Sequence, residues 1–359
     1  NMITGNTVGD HLIVPASYIS NNYNISYGLG TICFTPATAA LAFNEASLLQ
    51  TYTGGPMAAE STTTPDGLNI LYTYNGSADV PIEAGTYIVV ATVDDPNYIG
   101  SATDTLIIEP ALASIFFEES SLRQTYTGSA IEPVVSTTPE GLNIILTYDG
   151  ELLAPVNTGV YEVLATINES NYIGTVTDTL IIEPAIATIL FDESSLTQVY
   201  DGSSKYSVVS TLPEGLLVDL SYDGGVEGPI NVGEYEVLAV VNDPNYIGSS
   251  IDTLEIEPAV ASLFFNEASL TQTYNGNPIE AIITTIPTGL SLDVLYDGIA
   301  ASPTNAGSYV VVATINELNY IGSAIDTLVI EQAFADITFD ISSLTQVYDG
   351  NPKAVLATT

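Results

Sequence analysis

The sequence predicts an all-β protein made of tandem repeats, and three observations carry this prediction. The triplet Tyr-x-Gly recurs every 74 residues from Tyr52 to Tyr348, and Asn-Tyr-Ile-Gly recurs at the same interval from Asn97 to Asn319. Within each period, short β-rich runs are separated by turn dipeptides such as Asp149-Gly150. No window of about 12 residues carries an apolar helical stripe with caps. A fixed period of short strands is typical of small β domains in series.

The repeat boundaries follow from a Glu-Pro-Ala motif near the end of each period, which becomes Glu-Gln-Ala at Glu331. Four complete repeats are predicted and are called repeats 1 to 4 below: 37–110, 111–184, 185–258 and 259–332. Residues 1–36 are predicted to be the C-terminal part of a preceding, divergent repeat, and 333–359 the start of a further, truncated repeat. We therefore expect the natural protein to be longer than this chain.

A Gly-x-Tyr motif leads into an alternating strand of each repeat, as at Gly159-Val160-Tyr161. This pattern is typical of the tyrosine corner of immunoglobulin-like sandwiches, in which the tyrosine hydroxyl bonds to backbone upstream. Val163 then takes the position at which antibody domains carry a cysteine. The predicted fold is a series of head-to-tail immunoglobulin-like β-sandwich repeats. A β-grasp-like repeat is the alternative, because 74 residues is short for a seven-stranded sandwich.

The junctions between repeats contain no flexible linker. Residues 179–191 pass from the last strand of repeat 2 into the first strand of repeat 3 through Pro184, which favours extended backbone. Glycine- and serine-rich composition, typical of flexible linkers, is missing there. We expect short, stiff junctions and an elongated rod in which neighbouring repeats stabilise one another.

Covalent reinforcement of every repeat is excluded by residue counts. Cys33 is the only cysteine, so no intrachain disulfide can form, and repeats 1, 2 and 4 contain no lysine for Lys–Asn isopeptide bonds. Cys33 lies in an alternating segment, and we expect it to be a buried strand residue, with a reactive thiol as the alternative.

The charge balance restricts the partners. The chain has 43 acidic and three basic residues and a formal net charge of −40, which would repel nucleic-acid phosphates and anionic lipids. Hydrophobic residues make up 46% of the chain, enough for packed cores, but apolar runs are far shorter than the roughly 20 residues of a membrane span. We expect no nucleic-acid binding and no membrane insertion in this segment.

Acidic residues that recur with the repeat are candidates for a calcium site at the repeat junctions, because calcium takes about six to eight oxygen ligands. A solvated acidic surface is the alternative interpretation. The candidate ligands are Asp94, Asp95, Asp104, Glu169, Asp178, Asp243, Asp252, Glu317 and Asp326.

No catalytic residues or other cofactors are predicted. His11 is the only histidine, which argues against Ser-His-Asp and histidine-rich zinc sites. No Gly-x-x-x-x-Gly-Lys phosphate loop is present, and no tryptophan could line a sugar cleft for a pair of catalytic carboxylates. The chain is not expected to be an enzyme.

The ordered motifs resemble the MBG-type repeats of large bacterial surface adhesins and filament proteins. The order is Tyr-Asp-Gly, Thr-x-Pro-x-Gly-Leu, Tyr-Asp-Gly, Asn-Ala-Gly-Ser-Tyr, Asn-Tyr-x-Gly and Ile-Glu-Pro-Ala, and repeat 4 matches it most completely, from Tyr274 to Ala333. The resemblance implies a structural stalk or filament segment of a long extracellular, cell-surface-attached protein that acts in adhesion or surface motility.

Two other functions stay open at this point. Each repeat could bind a glycan or a host protein, or identical chains could assemble into an extracellular fibre. The expected partners are therefore the neighbouring repeats of the same chain, and beyond them identical chains or an external surface or glycan. The tyrosines of the Asn-Tyr-Ile-Gly motifs are expected to pack their turns over the core.

Overall fold

A computed structural model of the chain describes residues 2–15 and 18–359. The chain forms two compact units, Asn1–Pro184 and Ala185–Thr359. The first contains repeats 1 and 2, and the second contains repeats 3 and 4. Asn1, Ala16 and Ser17, which belong to the predicted partial repeat 1–36, lie outside the described residues.

Each complete repeat has eight strands, β1 to β8. In repeat 2 they are, in order, Ala111–Leu112, Ser114–Phe117, Arg123–Thr125, Val135–Thr138, Ile144–Tyr148, Gly159–Ile167, Tyr172–Ile173 and Thr175–Glu183. In repeat 1 they are Ala37–Thr38, Ala40–Phe43, Leu49–Thr51, Ser61–Thr64, Ile70–Tyr74, Gly85–Val93, Tyr98–Ile99 and Ser101–Glu109.

The second unit contains the same series. In repeat 3 the strands are Ala185–Ile186, Thr188–Phe191, Thr197–Val199, Val209–Leu212, Val218–Tyr222, Gly233–Val241, Tyr246–Ile247 and Ser249–Glu257. In repeat 4 they are Ala259–Val260, Ser262–Phe265, Thr271–Thr273, Ile283–Ile286, Leu292–Tyr296, Gly307–Ile315, Tyr320–Ile321 and Ser323–Glu331. The terminal segments contribute Met2–Ile3, Gly9–Val14, Gly30–Phe34, Thr338–Phe339 and Ala357–Thr358.

The strands of each repeat form a sandwich of two unequal sheets. The larger sheet has the order β3-β8-β6-β5, with β3 parallel to β8 and the other pairs antiparallel. The smaller sheet pairs β2 with β4, and a short parallel pair joins β1 to β7. Strands β5, β6 and β8 thus correspond to strands C, F and G of an immunoglobulin-like sandwich.

The core lies between the sheets because β6 and β8 alternate. In repeat 2, Val163 and Ala165 on β6 and Leu180 on β8 are fully buried, whereas Glu162 and Thr179, the residues that precede Val163 and Leu180, are exposed. The valine predicted at the antibody cysteine position is fully buried in all four repeats. The equivalent core residues are Val89, Leu106, Val237, Leu254, Val311 and Leu328.

The tyrosine corners predicted from Gly-x-Tyr are present in all four repeats. The Tyr161 hydroxyl donates to the backbone carbonyl of Asn157 at 2.9 Å. Equivalent bonds of 2.9 Å run from Tyr87, Tyr235 and Tyr309 to the carbonyl four residues upstream. The corner and the sheet order together establish the immunoglobulin-like fold. A β-grasp-like repeat is not observed: helices in the described ranges are at most four residues long, too short to cover a sheet.

Short helical turns that the sequence pattern did not predict follow β2. They span Glu45–Leu48, Glu119–Ser121, Glu193–Ser195, Glu267–Leu270 and Ile341–Leu344. A side-chain oxygen caps several of them: Asn44 accepts from the Ala46 amide and Asp192 from the Ser194 amide. The turns carry the chain from the small sheet into the large one.

A second tyrosine of each repeat, at the end of β5, is buried against the small-sheet side. The hydroxyl of Tyr222 accepts a hydrogen bond from the Ser207 amide at 2.9 Å. In repeat 2 the equivalent donor position is Pro133, which has no N–H, and the buried Tyr148 hydroxyl has no hydrogen-bond partner within residues 2–15 and 18–359. Burial, with a contribution from the charge of Glu132, raises the pKa of Tyr148 to about 12.

Cys33 contradicts the expectation that it is buried. It lies in the strand Gly30–Phe34, as predicted, but its side chain is exposed. The strand is covered on one face only, and Cys33 alternates onto the other, opposite Asp10 of the neighbouring strand. Hydrogen bonding to the Asp10 carboxylate, together with its negative charge, raises the pKa of the thiol.

Candidate functional site at the repeat junctions

The asparagine of each Asn-Tyr-Ile-Gly motif lies in the loop between β6 and β7, where its repeat meets the preceding one. In repeat 2, Asn171 Oδ1 accepts a hydrogen bond from the Ala84 amide of repeat 1 at 2.8 Å. Its Nδ2 donates to the carboxylate of Glu83. One side chain of repeat 2 therefore satisfies a backbone donor and a side-chain acceptor of repeat 1.

The same arrangement joins repeats 3 and 4 in the second unit. Asn319 Oδ1 accepts from the Val232 amide at 2.9 Å, and its Nδ2 donates to Oδ1 of Asn231 at 3.0 Å. Before repeat 1, Asn97 Oδ1 accepts from the Val8 amide of the partial repeat at 2.9 Å. The contact is therefore a regular feature of the described junctions.

The backbone of the same asparagine receives the incoming chain. The carbonyl of Asn171 accepts from the Ala111 amide at 2.9 Å, and the carbonyl of Ile173 accepts from the Ala113 amide at 2.9 Å. These bonds form the short β1–β7 pair, through which the chain leaving repeat 1 enters repeat 2. The residue thus binds the preceding repeat with its side chain and the connecting strand with its backbone.

The glycine of the motif lets the connecting strand pack directly against the backbone of the motif. A Cβ added at Gly174 would lie 2.3 Å from the carbonyl oxygen of Ala113, far inside van der Waals contact. The equivalent distances are 2.4 Å at Gly100, 2.2 Å at Gly248 and 2.4 Å at Gly322. Glycine is needed here because the connecting strand packs directly on its backbone.

The tyrosine of the motif adds an apolar contact across the junction between repeats 1 and 2 and across that between repeats 3 and 4. Tyr172 packs edge-to-face on Tyr52 of repeat 1, with ring centroids 5.3 Å apart and an interplanar angle of 82°. Tyr320 packs on Tyr200 of repeat 3 in the same way, at 5.3 Å and 81°. Tyr172 also packs against the apolar cluster around Ile167 of its own repeat. It covers the core, as predicted, and it also contacts the Tyr-x-Gly tyrosine of the preceding repeat.

The junction and the tyrosine corner share a residue. The backbone carbonyl of Glu83 accepts from the Tyr87 hydroxyl, while its carboxylate accepts from Asn171 of the next repeat. Asn231 has both roles toward Tyr235 and Asn319. The corner therefore fixes the segment that the following repeat binds.

The predicted calcium ligands are bound locally to backbone amides. Within three residues of the motif asparagine, Asp95 accepts from the Asn97 amide at 2.7 Å and Asp243 from the Asn245 amide at 2.8 Å. Asp104 accepts from the next residue's amide at 2.8 Å. Asp178, Asp252 and Asp326 make the same bond at 2.7, 2.8 and 2.8 Å.

Two further candidates tie the start of β5 to the loop after β6. Glu169 accepts from the Asn143 amide at 3.1 Å, and Glu317 from the Ser291 amide at 3.1 Å. Hydrogen bonding from Ser291 lowers the pKa of Glu317. The ninth candidate, Asp94, donates its own amide to the Asn69 carbonyl. Across the described ranges, no three Asp, Glu, His or Cys side chains converge as a metal-binding group. The calcium site stays a prediction.

Repeat 3 departs from the others in its core. Lys205 occupies the position of the core residues Met57, Ile131 and Ile279, and its side chain is only 11% exposed. Its Nζ lies 2.7 Å from Oδ2 of Asp201, an exposed carboxylate whose pKa the lysine lowers. The alkyl stem therefore packs inward while the ammonium group reaches the surface.

The strand order, the tyrosine corners and the junction contacts define an array of tandem immunoglobulin-like β-sandwich repeats. The MBG domain family matches residues 19–112, 118–186, 187–260 and 266–334. The chain therefore belongs to the MBG domain family. It has no match among curated proteins.

Several solved arrays of immunoglobulin domains are similar in extent. Sidekick-1 immunoglobulin domains 1–4 are 12% identical, with 80% of this chain and 96% of that chain covered and a TM-score of 0.25. The first four domains of Dscam1 are 13% identical, with 82% and 99% covered and a TM-score of 0.22. The ICAM-5 D1–D4 fragment is 11% identical, with 83% and 100% covered and a TM-score of 0.32. At these scores the superpositions add nothing to the fold derived above.

None of the helices found in the described ranges has the length and apolar character that crossing a membrane requires.

Proposed function

We propose that this chain is a structural stalk or filament segment of a long extracellular protein attached to a bacterial cell surface, where it acts in adhesion or surface motility. The observation that carries the proposal is the side chain of Asn171, which binds repeat 1 while its backbone binds the connecting strand. A repeat held in this way can transmit distance and force to its neighbour.

The proposal includes the repeat boundaries predicted from the sequence, 37–110, 111–184, 185–258 and 259–332. Membership of the MBG domain family supports a chain without a catalytic role. Calcium binding by the recurrent carboxylates is a separate prediction, and the stalk function does not depend on it. Calorimetry with and without a chelator tests it: an unchanged melting temperature after chelation would remove calcium from the account.

Single-molecule force spectroscopy tests the stalk function. When the full chain is pulled from both ends, each complete repeat is expected to unfold separately and to release 74 residues, or roughly 245–265 Å of extended chain at about 3.3–3.6 Å per residue. Four such events of similar length support the proposal. Extension without force peaks would contradict it, because a stalk must resist tension.

Fibre formation by identical chains is the competing function, and sedimentation separates it. A stalk segment is expected to remain a monomer over a wide concentration range, because each chain carries a net charge of −40. Reversible growth into long assemblies at physiological salt would favour the fibre.

A further inference from the structure

Repeat 3 contains a groove along one edge of its small sheet. The groove has a volume of 620 Å³ and lies between β4 (Val209–Leu212) and the start of β5, with Leu190 and Leu217 among its lining residues. The equivalent groove of repeat 2 is smaller, at 410 Å³. Residues of the turn between β4 and β5 line both grooves.

The groove runs beside an unpaired strand edge. In the part of the chain that the structure describes, β4 of repeat 3 pairs with β2 on one side and has no strand on the other. Sandwiches of the seven-stranded type have further strands in this sheet. An unpaired edge presents a row of backbone donors and acceptors to which another extended chain can bind.

Three exposed leucines line the groove of repeat 3: Leu190 on β2, Leu212 at the end of β4 and Leu217 just before β5. Leu190, Leu212 and Leu217 are 57%, 66% and 72% exposed. The other repeats do not have three aliphatic side chains at these positions. The equivalent residues are Ala42, Thr64 and Asn69 in repeat 1, Phe116, Thr138 and Asn143 in repeat 2, and Phe264, Ile286 and Ser291 in repeat 4. A repeat needed only for spacing gains nothing from three aliphatic side chains exposed together.

The charge around the groove indicates what binds there. Residues 185–258 contain thirteen acidic residues and one basic residue, Lys205, which already contacts Asp201. Glu214 lies on the groove itself. A second copy of this acidic chain would be repelled, whereas a basic segment would be attracted.

We propose that repeat 3 binds an extended, basic segment of a partner protein by strand addition to the free edge of Val209–Leu212. Alternate apolar side chains of the segment contact Leu212 and Leu217 beside the free edge, and the basic side chains between them face the acidic surface. This site gives one repeat a binding function in addition to the stalk. It does not depend on the stalk function, so either can fail alone.

Fluorescence anisotropy with the full chain at physiological salt tests the site. The probe is a labelled eight-residue peptide of alternating valine and lysine, compared with a serine–lysine peptide of the same charge. Saturable one-to-one binding of the valine–lysine peptide is expected. The double variant L212T/L217N, which places the residues of repeat 2 in repeat 3, is expected to bind at least about tenfold more weakly.

Both substitutions replace exposed residues by residues that repeat 2 has at the same positions, so the variant keeps its fold. A valine–lysine peptide N-methylated on alternate amides is expected to lose binding, because strand addition needs those hydrogen bonds. Equal binding of the two unmethylated peptides, or equal binding by wild type and L212T/L217N, would overturn the proposal. So would a leucine-dependent dimer of the chain that excludes the peptide.

Discussion

The side-chain amides of Asn319 and Asn231, 88 residues apart in the sequence, bind each other at 3.0 Å and join repeat 4 to repeat 3. Oδ1 of Asn319 accepts from the next amide along, that of Val232. At the junction between repeats 1 and 2, Asn171 takes the place of Asn319 and Glu83 takes the place of Asn231. In both junctions the motif asparagine accepts from a backbone amide and donates to a side-chain oxygen, which belongs to Asn231 in one and to Glu83 in the other.

Removing the amide of Asn319 is expected to expose the Val232 amide to solvent. In the variant N319A, hydrogen exchange at Val232 should accelerate at least about fivefold, because the donor loses a bond of roughly 1 kcal/mol or more. Amide-resolved hydrogen exchange measures this. N305A is the matched control: Asn305 is the repeat 4 equivalent of Asn231, and Val232 should exchange in it as in wild type. Unchanged exchange in N319A would remove the junction bond from the account.

Gly174 is expected to tolerate no side chain. The variant G174A places a Cβ against the Ala113 carbonyl, and the connecting strand must move to avoid it. We expect a destabilisation of about 2–4 kcal/mol, which calorimetry would record as a lower melting temperature. G55A is the control, because a Cβ there approaches only the Thr53 hydroxyl, at 4.0 Å. If both variants melt like wild type, the close approach at Gly174 is not required.

Phenylalanine substitutions at two equivalent tyrosines are expected to differ. Y222F removes the acceptor of the buried Ser207 amide and should cost about 1–3 kcal/mol. Y148F removes a hydroxyl that faces Pro133 and has no partner in the described ranges, so it should be neutral or stabilising. Melting temperatures of the two variants provide the comparison. Equal losses would show that the Tyr148 hydroxyl is bonded after all.

The Cys33 thiol is expected to react faster when Asp10 is neutralised. The Asp10 carboxylate raises the pKa of the thiol, so D10N should lower this pKa and increase the thiolate fraction at any pH below it. The rate of alkylation at pH 8 should therefore rise, and the pH at half-maximal rate should fall. D104N, which neutralises an aspartate in repeat 1, is the control. A slower rate in D10N would contradict the sign of the effect.

The features that repeat within one period could be predicted from the sequence. The 74-residue spacing led to the tandem array, and Gly-x-Tyr led to the tyrosine corner at Tyr161, whose partner is only four residues away. The junction role of Asn171 could not be predicted, because its partner Ala84 lies 87 residues upstream in another repeat. The identical recurrence of the motif asparagine was the available signal.

The environments of Cys33 and Lys205 could not be predicted from the sequence either, for a different physical reason. Burial of Cys33 was wrong because alternation along a strand does not reveal which face is covered. The lone lysine of repeat 3 was counted as a charge, although its position is a core position in three other repeats. Comparing the repeats residue by residue, at Pro133 or at Leu217, shows where one repeat differs in chemistry from its neighbours.

We expect the contacts of Asn171 and Tyr172 to hold repeat 2 in one orientation on repeat 1. Spin labels at the equivalent, exposed positions of β8, introduced as T103C and T177C in a C33S background, report this orientation through their distance distribution in double electron–electron resonance. We predict a single narrow distribution that broadens when N171A is added. A broad distribution without N171A would contradict the account, because a repeat that moves freely on its neighbour cannot transmit distance.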